Sequence, residues 1–223
     1  MKKNVILVVA PHPDDETLGC GGTLLKHKAA GDSIHWLIAS GMKESAGFKV
    51  DQIQKRSQEI ETVAKMYGFD SVTQLNQPAG SLDTVPLGDL VSSIGEVIKK
   101  INATCIYLPF SHDAHTDHSV VFKAAWSCSK WFRYPSVKRV LVYETISETD
   151  FGSSLNAFAP NTFINIEPHL NKKIEILNIY ASEMGKHPFP RSEHSVRALA
   201  TLRGATSGFQ AAEAFMLLKN LES

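Results

Sequence analysis

Val5-Ile6-Leu7-Val8-Val9-Ala10 runs straight into Pro11-His12-Pro13-Asp14-Asp15-Glu16. The apolar half has the length and branching of a strand buried on both faces, the kind found inside a parallel sheet. The polar half places an imidazole and three carboxylates at the end of that strand. Groups so dense are costly to bury unless something pairs with them. A divalent cation is the natural partner, because His and Asp together suit zinc. In open α/β sheets, sites lie at such strand ends.

A second stretch has the same layout. Ile106-Tyr107-Leu108-Pro109-Phe110 leads into Ser111-His112-Asp113-Ala114-His115-Thr116-Asp117-His118 and then into an apolar helical pattern from Val120 to Trp131. In a parallel sheet both polar loops open on the same edge, so they can meet. Between and after them, strands and helices alternate. The spacing predicts helices over 17–30, 51–67 and 90–101, each stopped by Gly31, Gly68 or the end of its apolar pattern. Strands are expected over 33–40, 71–75, 104–108 and 138–143, with loops over 41–50 and 76–85. Farther on, 161–166 reads as a strand, and 168–181, 192–203 and 211–218 read as helices. This βαβ alternation predicts an α/β fold: a Rossmann-like, doubly wound, mostly parallel sheet with helices on both faces. No repeat, low-complexity stretch or linker divides the chain, so residues 1–223 are expected to form one domain.

Composition narrows the function classes. The chain has 223 residues, 43% of them hydrophobic and 21% charged, with 23 basic and 23 acidic side chains. That balance leaves no basic footprint for nucleic acid. The apolar start is too short to span a membrane and lacks a signal-peptide cleavage pattern, so a cytoplasmic protein is expected. Cys20, Cys105 and Cys128 are odd in number and widely spaced, which suits buried free thiols. Cys20 is close enough to the acidic motif to feel a metal there.

Each polar motif has a plain reading beside the chemical one. Pro13-Asp14-Asp15 favours a turn in which Asp15 caps a helix. Against this, His12 and Asp15, three apart, can converge on one cation, leaving Asp14 free. The second cluster could be a solvated loop with an Asp or Thr cap. Alternatively, His118 supplies a third ligand, and three protein ligands plus water mark a catalytic zinc. His115 and Asp117 are spaced for a carboxylate–imidazole hydrogen bond that favours a protonated ring. Arg56 by itself reads as a solvated helix charge. Glu16 either hydrogen-bonds a ligand or caps the helix. His112 and Asp113 are rim residues of the second loop, and His187 and His194 read as surface histidines. Trp126 and Trp131 read as core or subunit contacts.

His12-Pro13-Asp14-Asp15-Glu16 with Gly21-Gly22, followed later by His115-Thr116-Asp117-His118, resembles the PIG-L/LmbE-like family of zinc de-N-acetylases. Arg56 and Glu59 resemble its Arg-x-x-Glu helix. Arg203-Gly204, Gly208 and Ala212-Glu213-Ala214-Phe215 resemble its C-terminal signature, so the likeness runs along most of the chain. The resemblance implies that His12, Asp15 and His118 bind zinc and that Asp14 is the general base. It implies that His115, oriented by Asp117, stabilises the oxyanion and protonates the leaving amine, and that Arg56 pairs with the acidic motif. Iron(II) fits a His₂Asp set as well as zinc does.

The expected function is removal of an N-acetyl group from an amino sugar or its conjugate. Hydrolysis of another amide, such as a thiol conjugate, would use the same site. A non-catalytic protein binding nucleotide or sugar phosphate through Gly19-Cys20-Gly21-Gly22 is the competing class. The acids just before those glycines repel phosphate, and no full GxGxxG is present. The loops 41–50 and 186–191 are the expected specificity elements. A small N-acetylated substrate is the expected partner, without nucleic acid or an integral membrane segment. Relatives often assemble, so a homo-oligomer is allowed, although no segment marks an interface.

Overall fold

In the computed structural model, which describes residues 3–222, the opening apolar run is strand β1 (Val5–Ala10), an interior strand of a seven-stranded sheet. Its side chains alternate between two cores. Leu7 and Val9 face one, and Ile6, Val8 and Ala10 face the other, all fully buried. Two-sided burial is why the run carries no polar residue.

The chain then winds outward in one direction. α1 (Asp15–Ala29), β2 (Ser33–Gly41), α2 (Val50–Tyr67) and β3 (Ser71–Pro78) follow in order, with β2 parallel to β1 and β3 parallel to β2. α3 (Leu87–Ile101) brings the chain back across the sheet. β4 (Cys105–Pro109) pairs parallel with the free side of β1, and β5 (Arg139–Tyr143) follows β4 after α4 (Thr116–Ser127). β6 (Thr162–Asn165), α5 (Leu170–Leu177), α6 (Glu193–Ser207) and β7 (Ala212–Asn220) complete the order. The sheet reads β3-β2-β1-β4-β5-β7-β6, parallel through β5 and antiparallel at β7 and β6. Strand order reverses between β1 and β4. A crevice must open there at the strands' C-terminal ends, and both polar clusters start from those ends. α3 and α4 pack on one face of the sheet, and α1 and α2 pack on the other.

Several expected boundaries shift. α4 begins at Thr116, earlier than its apolar pattern, because the His115 side chain accepts from the Asp117 amide and caps it. β3 runs on to Pro78. The 168–181 helix is a 3₁₀ turn (Glu167–His169) followed by α5. Trp126 and Trp131 are 37% and 68% exposed, so they are surface residues and not core. All three cysteines are buried and free. Among the described residues no helix is long and apolar enough to cross a membrane.

The expected helix over 211–218 is the clearest error, since this segment is β7. It fills the slot between β5 and β6, pairing Leu217 with Leu141 and Ala214 with Phe163. Ala-Glu-Ala-Phe-Met-Leu-Leu has ample helix propensity, but tertiary pairing overrides a preference of a few tenths of a kcal/mol per residue.

β7 also carries the ion pair that shapes α1. At Cys20 (φ −142°) α1 departs from helical geometry, leaving backbone groups without helical partners. Glu213 accepts from the Gly22 and Thr23 amides at 2.8 and 2.7 Å, and Lys173 donates to the Leu18 carbonyl at 2.9 Å. Lys173 and Glu213 are 2.7 Å apart and both buried. Gly19 is required at this break, because a Cβ there would lie 2.2 Å from the Tyr143 ring. Glu213→Ala strands a buried ammonium and two amides. It should cost about 3–5 kcal/mol in chemical denaturation, and a loss below about 1 kcal/mol would show that the pair does not hold the break.

Candidate active site

Residues 11–15 turn the chain from β1 into α1 and deliver His12, Asp14 and Asp15 to the crevice. Asp14 sits at φ 139°, a conformation that costs a non-glycine residue roughly 1–3 kcal/mol. Four bonds hold it there. The Asp14 amide donates to Glu16 Oε2 at 3.0 Å, Arg56 Nη1 donates to the Pro13 carbonyl at 2.9 Å, and the Thr17 and Leu18 amides donate to the Asp14 carbonyl at 3.0 and 2.8 Å. Glu16, fully buried, also accepts from Thr17 Oγ1 and Tyr180 Oη, and burial pushes its pKa up to about 7. Its role is therefore to anchor the main chain of Asp14.

Asp15 Oδ2 lies 3.3 Å from His12 Nδ1 and 3.4 Å from His118 Nε2. Ligand atoms of these three residues all fall within 4.8 Å of one another. Behind each imidazole stands a carboxylate. His12 Nε2 is 2.9 Å from Asp117 Oδ2, and His118 Nδ1 is 2.7 Å from Asp113 Oδ2. Each outer carboxylate takes the N–H of the far ring nitrogen, which leaves Nδ1 of His12 and Nε2 of His118 aimed at Asp15. Outer carboxylates of this kind set tautomer and ring orientation in metal sites. Burial opposes charge on both rings. The bonds from Asp117 and Asp15 outweigh it and hold His12 at about 9, and Asp15 and Asp113 hold His118 at about 10. Asp15 is shifted well down despite its burial, chiefly by His118. Two imidazoles and one anionic carboxylate, buried and oriented from behind, fit a divalent cation.

A second group, His12 with His115 and Asp117, is as close. Its oxygens are already engaged, since Asp117 accepts from the Gly80 and Leu82 amides at 2.8 and 3.0 Å. Asp113 is pinned in turn by Thr149 Oγ1 at 2.6 Å. Asp113→Asn keeps the shape and removes the charge. It should weaken zinc binding about 10–100-fold in competition with a chromogenic chelator, and unchanged affinity would leave Asp113 without this role.

The pairing expected between Asp117 and His115 is not what the structure holds. The Asp117 carboxylate turns to His12 and the 80–82 backbone. His115 caps α4, its Nδ1 accepting from the Asp117 amide at 3.2 Å. Burial and the neighbouring His12 lower the His115 pKa. With Nδ1 accepting that bond, the ring offers its Nε2–H as a hydrogen-bond donor, and it is not paired to the Asp117 carboxylate as the spacing suggested.

Arg56 does hold the acidic motif, but through the Pro13 carbonyl. Its other nitrogens meet Glu59 Oε2 at 3.2 Å and Glu183, and its guanidinium lies over the Tyr180 ring. The cation that pairs with Asp14 is Arg191, whose Nη1 is 2.8 Å from Asp14 Oδ2. Ser147 and Glu148 position Arg191 through Nε and Nη2 at 2.6 and 3.0 Å. Burial and Asp15 raise the pKa of Asp14, and Arg191 restrains the rise. Arg191, Glu148 and Glu183 have no signature in the sequence beyond Arg191's place in the 186–191 loop. His112 bonds Ser111, and His187 packs on His194 with ring centroids 4.7 Å apart. None of these three lines the cavity described next.

A cavity of about 470 Å³ opens over the cluster. His12, Asp14 and His115 line it, as do Gly41, Met42 and Phe48 of one expected specificity loop and Arg191 of the other.

Comparison with known proteins shows what the chain is similar to. The family model of GlcNAc-PI de-N-acetylase (PIG-L) matches residues 7–129, more than half of the chain. The uncharacterized deacetylase YaiS of Escherichia coli is 26% identical, the match covering 81% of this chain and 92% of YaiS. The diacetylchitobiose deacetylase of Thermococcus kodakarensis is 23% identical, over 93% of this chain and 80% of that protein. The crystal structure of the conserved protein TT1542 from Thermus thermophilus superposes with a TM-score of 0.78 at 25% identity, covering 98% and 96% of the two chains.

Proposed function

We propose that this chain, which belongs to the PIG-L family of GlcNAc-PI de-N-acetylases, is a metal-dependent hydrolase that removes the acetyl group from an N-acetylated amino sugar or its conjugate. The observation that carries the reading is the convergence of His12 Nδ1, Asp15 Oδ2 and His118 Nε2 beside a strained Asp14 that lies outside that set. The named activity of the Thermococcus relative supports an N-acetylated sugar as the substrate class.

His12, Asp15 and His118 would hold the cation, zinc in this proposal and iron(II) as the alternative. When bound, it supplies Lewis acidity to the amide carbonyl and lowers the pKa of water toward about 7. The protein groups do the rest. Asp14 takes a proton from the attacking water as its oxygen bonds to the carbonyl carbon. His115 donates its Nε2–H to the oxyanion that forms. The C–N bond then breaks, and Asp14 returns the proton to the departing nitrogen, leaving acetate and a free amine. Its raised pKa suits both halves of this exchange. Arg191 and Glu16 keep the carboxyl and its backbone in place throughout. The whole of residues 1–223 acts as one domain in this account.

The test is acetate release from a panel of N-acetylated amino sugars and their conjugates. Chelation should abolish release and stoichiometric zinc should restore it. Release that survives complete metal removal would contradict the proposal.

A further inference from the structure

The cavity is lined by charged groups on one part of its wall and by apolar side chains on another. Among the described residues, the arginines lining it are Arg56 and Arg191. Every nitrogen of both is engaged. Arg56 contacts the Pro13 carbonyl, Ser182, Glu183 and Glu59. Arg191 contacts Ser147, Asp14, Glu183 and Glu148. An anionic substituent would have to compete with these carboxylates for the guanidinium N–H groups, and it would face Asp14, Glu148 and Glu183, which line the same space. A second part of the wall comes from α2 and the loop before it. Ile53, Arg56, Ser57 and Ile60 recur at i, i+3, i+4 and i+7, so one face of α2 fronts the cavity. Met42 and Phe48 extend its apolar surface, and Ser57, Gln74 and Asn76 supply uncharged donors and acceptors.

Resting on the deacetylase reading above, we propose that Met42, Phe48, Ile53 and Ile60 form a subsite for an uncharged aryl or alkyl substituent of the substrate, and that the cavity selects against an anionic one. The substituent reaches the subsite either from the sugar's aglycone or from the acyl group. Burying such a group is worth at least tenfold in kcat/KM.

The experiment measures amine release by the zinc-loaded enzyme from four compounds. These are N-acetylglucosamine, its phenyl β-glycoside, its 4-carboxyphenyl β-glycoside and N-hexanoylglucosamine. The phenyl glycoside should exceed the parent sugar by at least tenfold if the aglycone reaches the wall, and N-hexanoylglucosamine should if the acyl group does. The carboxyphenyl glycoside should lose the gain. In Phe48→Ser and Ile53→Ser the ratio of the favoured compound to the parent should fall about tenfold. Equal kcat/KM for all four compounds, a carboxyphenyl glycoside as good as the phenyl one, or ratios unchanged in both variants would overturn the proposal. If no compound releases amine while zinc is bound, the deacetylase reading falls, and calorimetric binding decides the subsite separately. Tighter binding of the phenyl or hexanoyl compound than of the parent sugar, with the carboxyphenyl glycoside weaker than the phenyl one, keeps it; no such preference overturns it.

Discussion

Asp14→Asn should lower the rate of acetate release by roughly 10²–10⁴ while leaving the bound metal at the wild-type level. The side chain keeps its size and can still meet Arg191 Nη1, now 2.8 Å from the carboxylate, through its amide oxygen. What it loses is the basic carboxylate that takes a proton from water and later returns it. The metal should be unaffected, because the group within 4.8 Å is His12, Asp15 and His118, and Asp14 is outside it. Metal analysis beside the rate separates the two effects. A variant that loses metal and activity together would make Asp14 a ligand, and one that keeps activity within a few-fold would remove it as the base.

His118→Ala should have a larger effect, because it removes a ligand and leaves two carboxylates facing a gap. Asp15 and Asp113 both lean on this imidazole, at 3.4 and 2.7 Å. Ligand loss should weaken zinc binding by more than the 10–100-fold expected for an outer carboxylate. Hydrolysis should fall below the level of Asp14→Asn, since the Lewis acid goes with the metal. Isothermal calorimetry with zinc gives the affinity, and acetate release at saturating zinc gives the activity. Wild-type affinity in this variant would mean that the ligand set is wrong, and the alternative group with His115 would then take precedence. The imidazoles set the pH dependence of binding. His12 and His118 hold protons up to about 9 and 10, and a cation must displace them. Zinc affinity should therefore rise with pH through neutrality and level off above those values.

The sheet was legible because its central strands are buried on both faces, so Val5–Ala10 and Ile106–Leu108 are apolar without alternation. The site was legible for a related reason, since few other arguments explain an imidazole and carboxylates at the end of such a strand. What escaped the sequence is set by distance along the chain. Arg191 is 177 residues from Asp14, and no local pattern distinguishes it from a surface arginine. The partner of Asp117 was misread because a spacing of two suggests contact with His115. Helix geometry instead turns the carboxylate toward a residue 105 positions away. β7 escaped because Ala212–Leu218 suits a helix about as well as a strand, and only a vacant position beside β5 decides between them.

The central claim is that His12, Asp15 and His118 hold one catalytic cation, and zinc K-edge absorption spectroscopy on the zinc-loaded protein tests it most directly. The account predicts one equivalent of zinc, two imidazole nitrogens at about 2.0 Å and oxygen neighbours at about 2.0–2.2 Å, with this shell lost in His118→Ala. A sulfur neighbour at about 2.3 Å, or an unchanged nitrogen shell in His118→Ala, would contradict it.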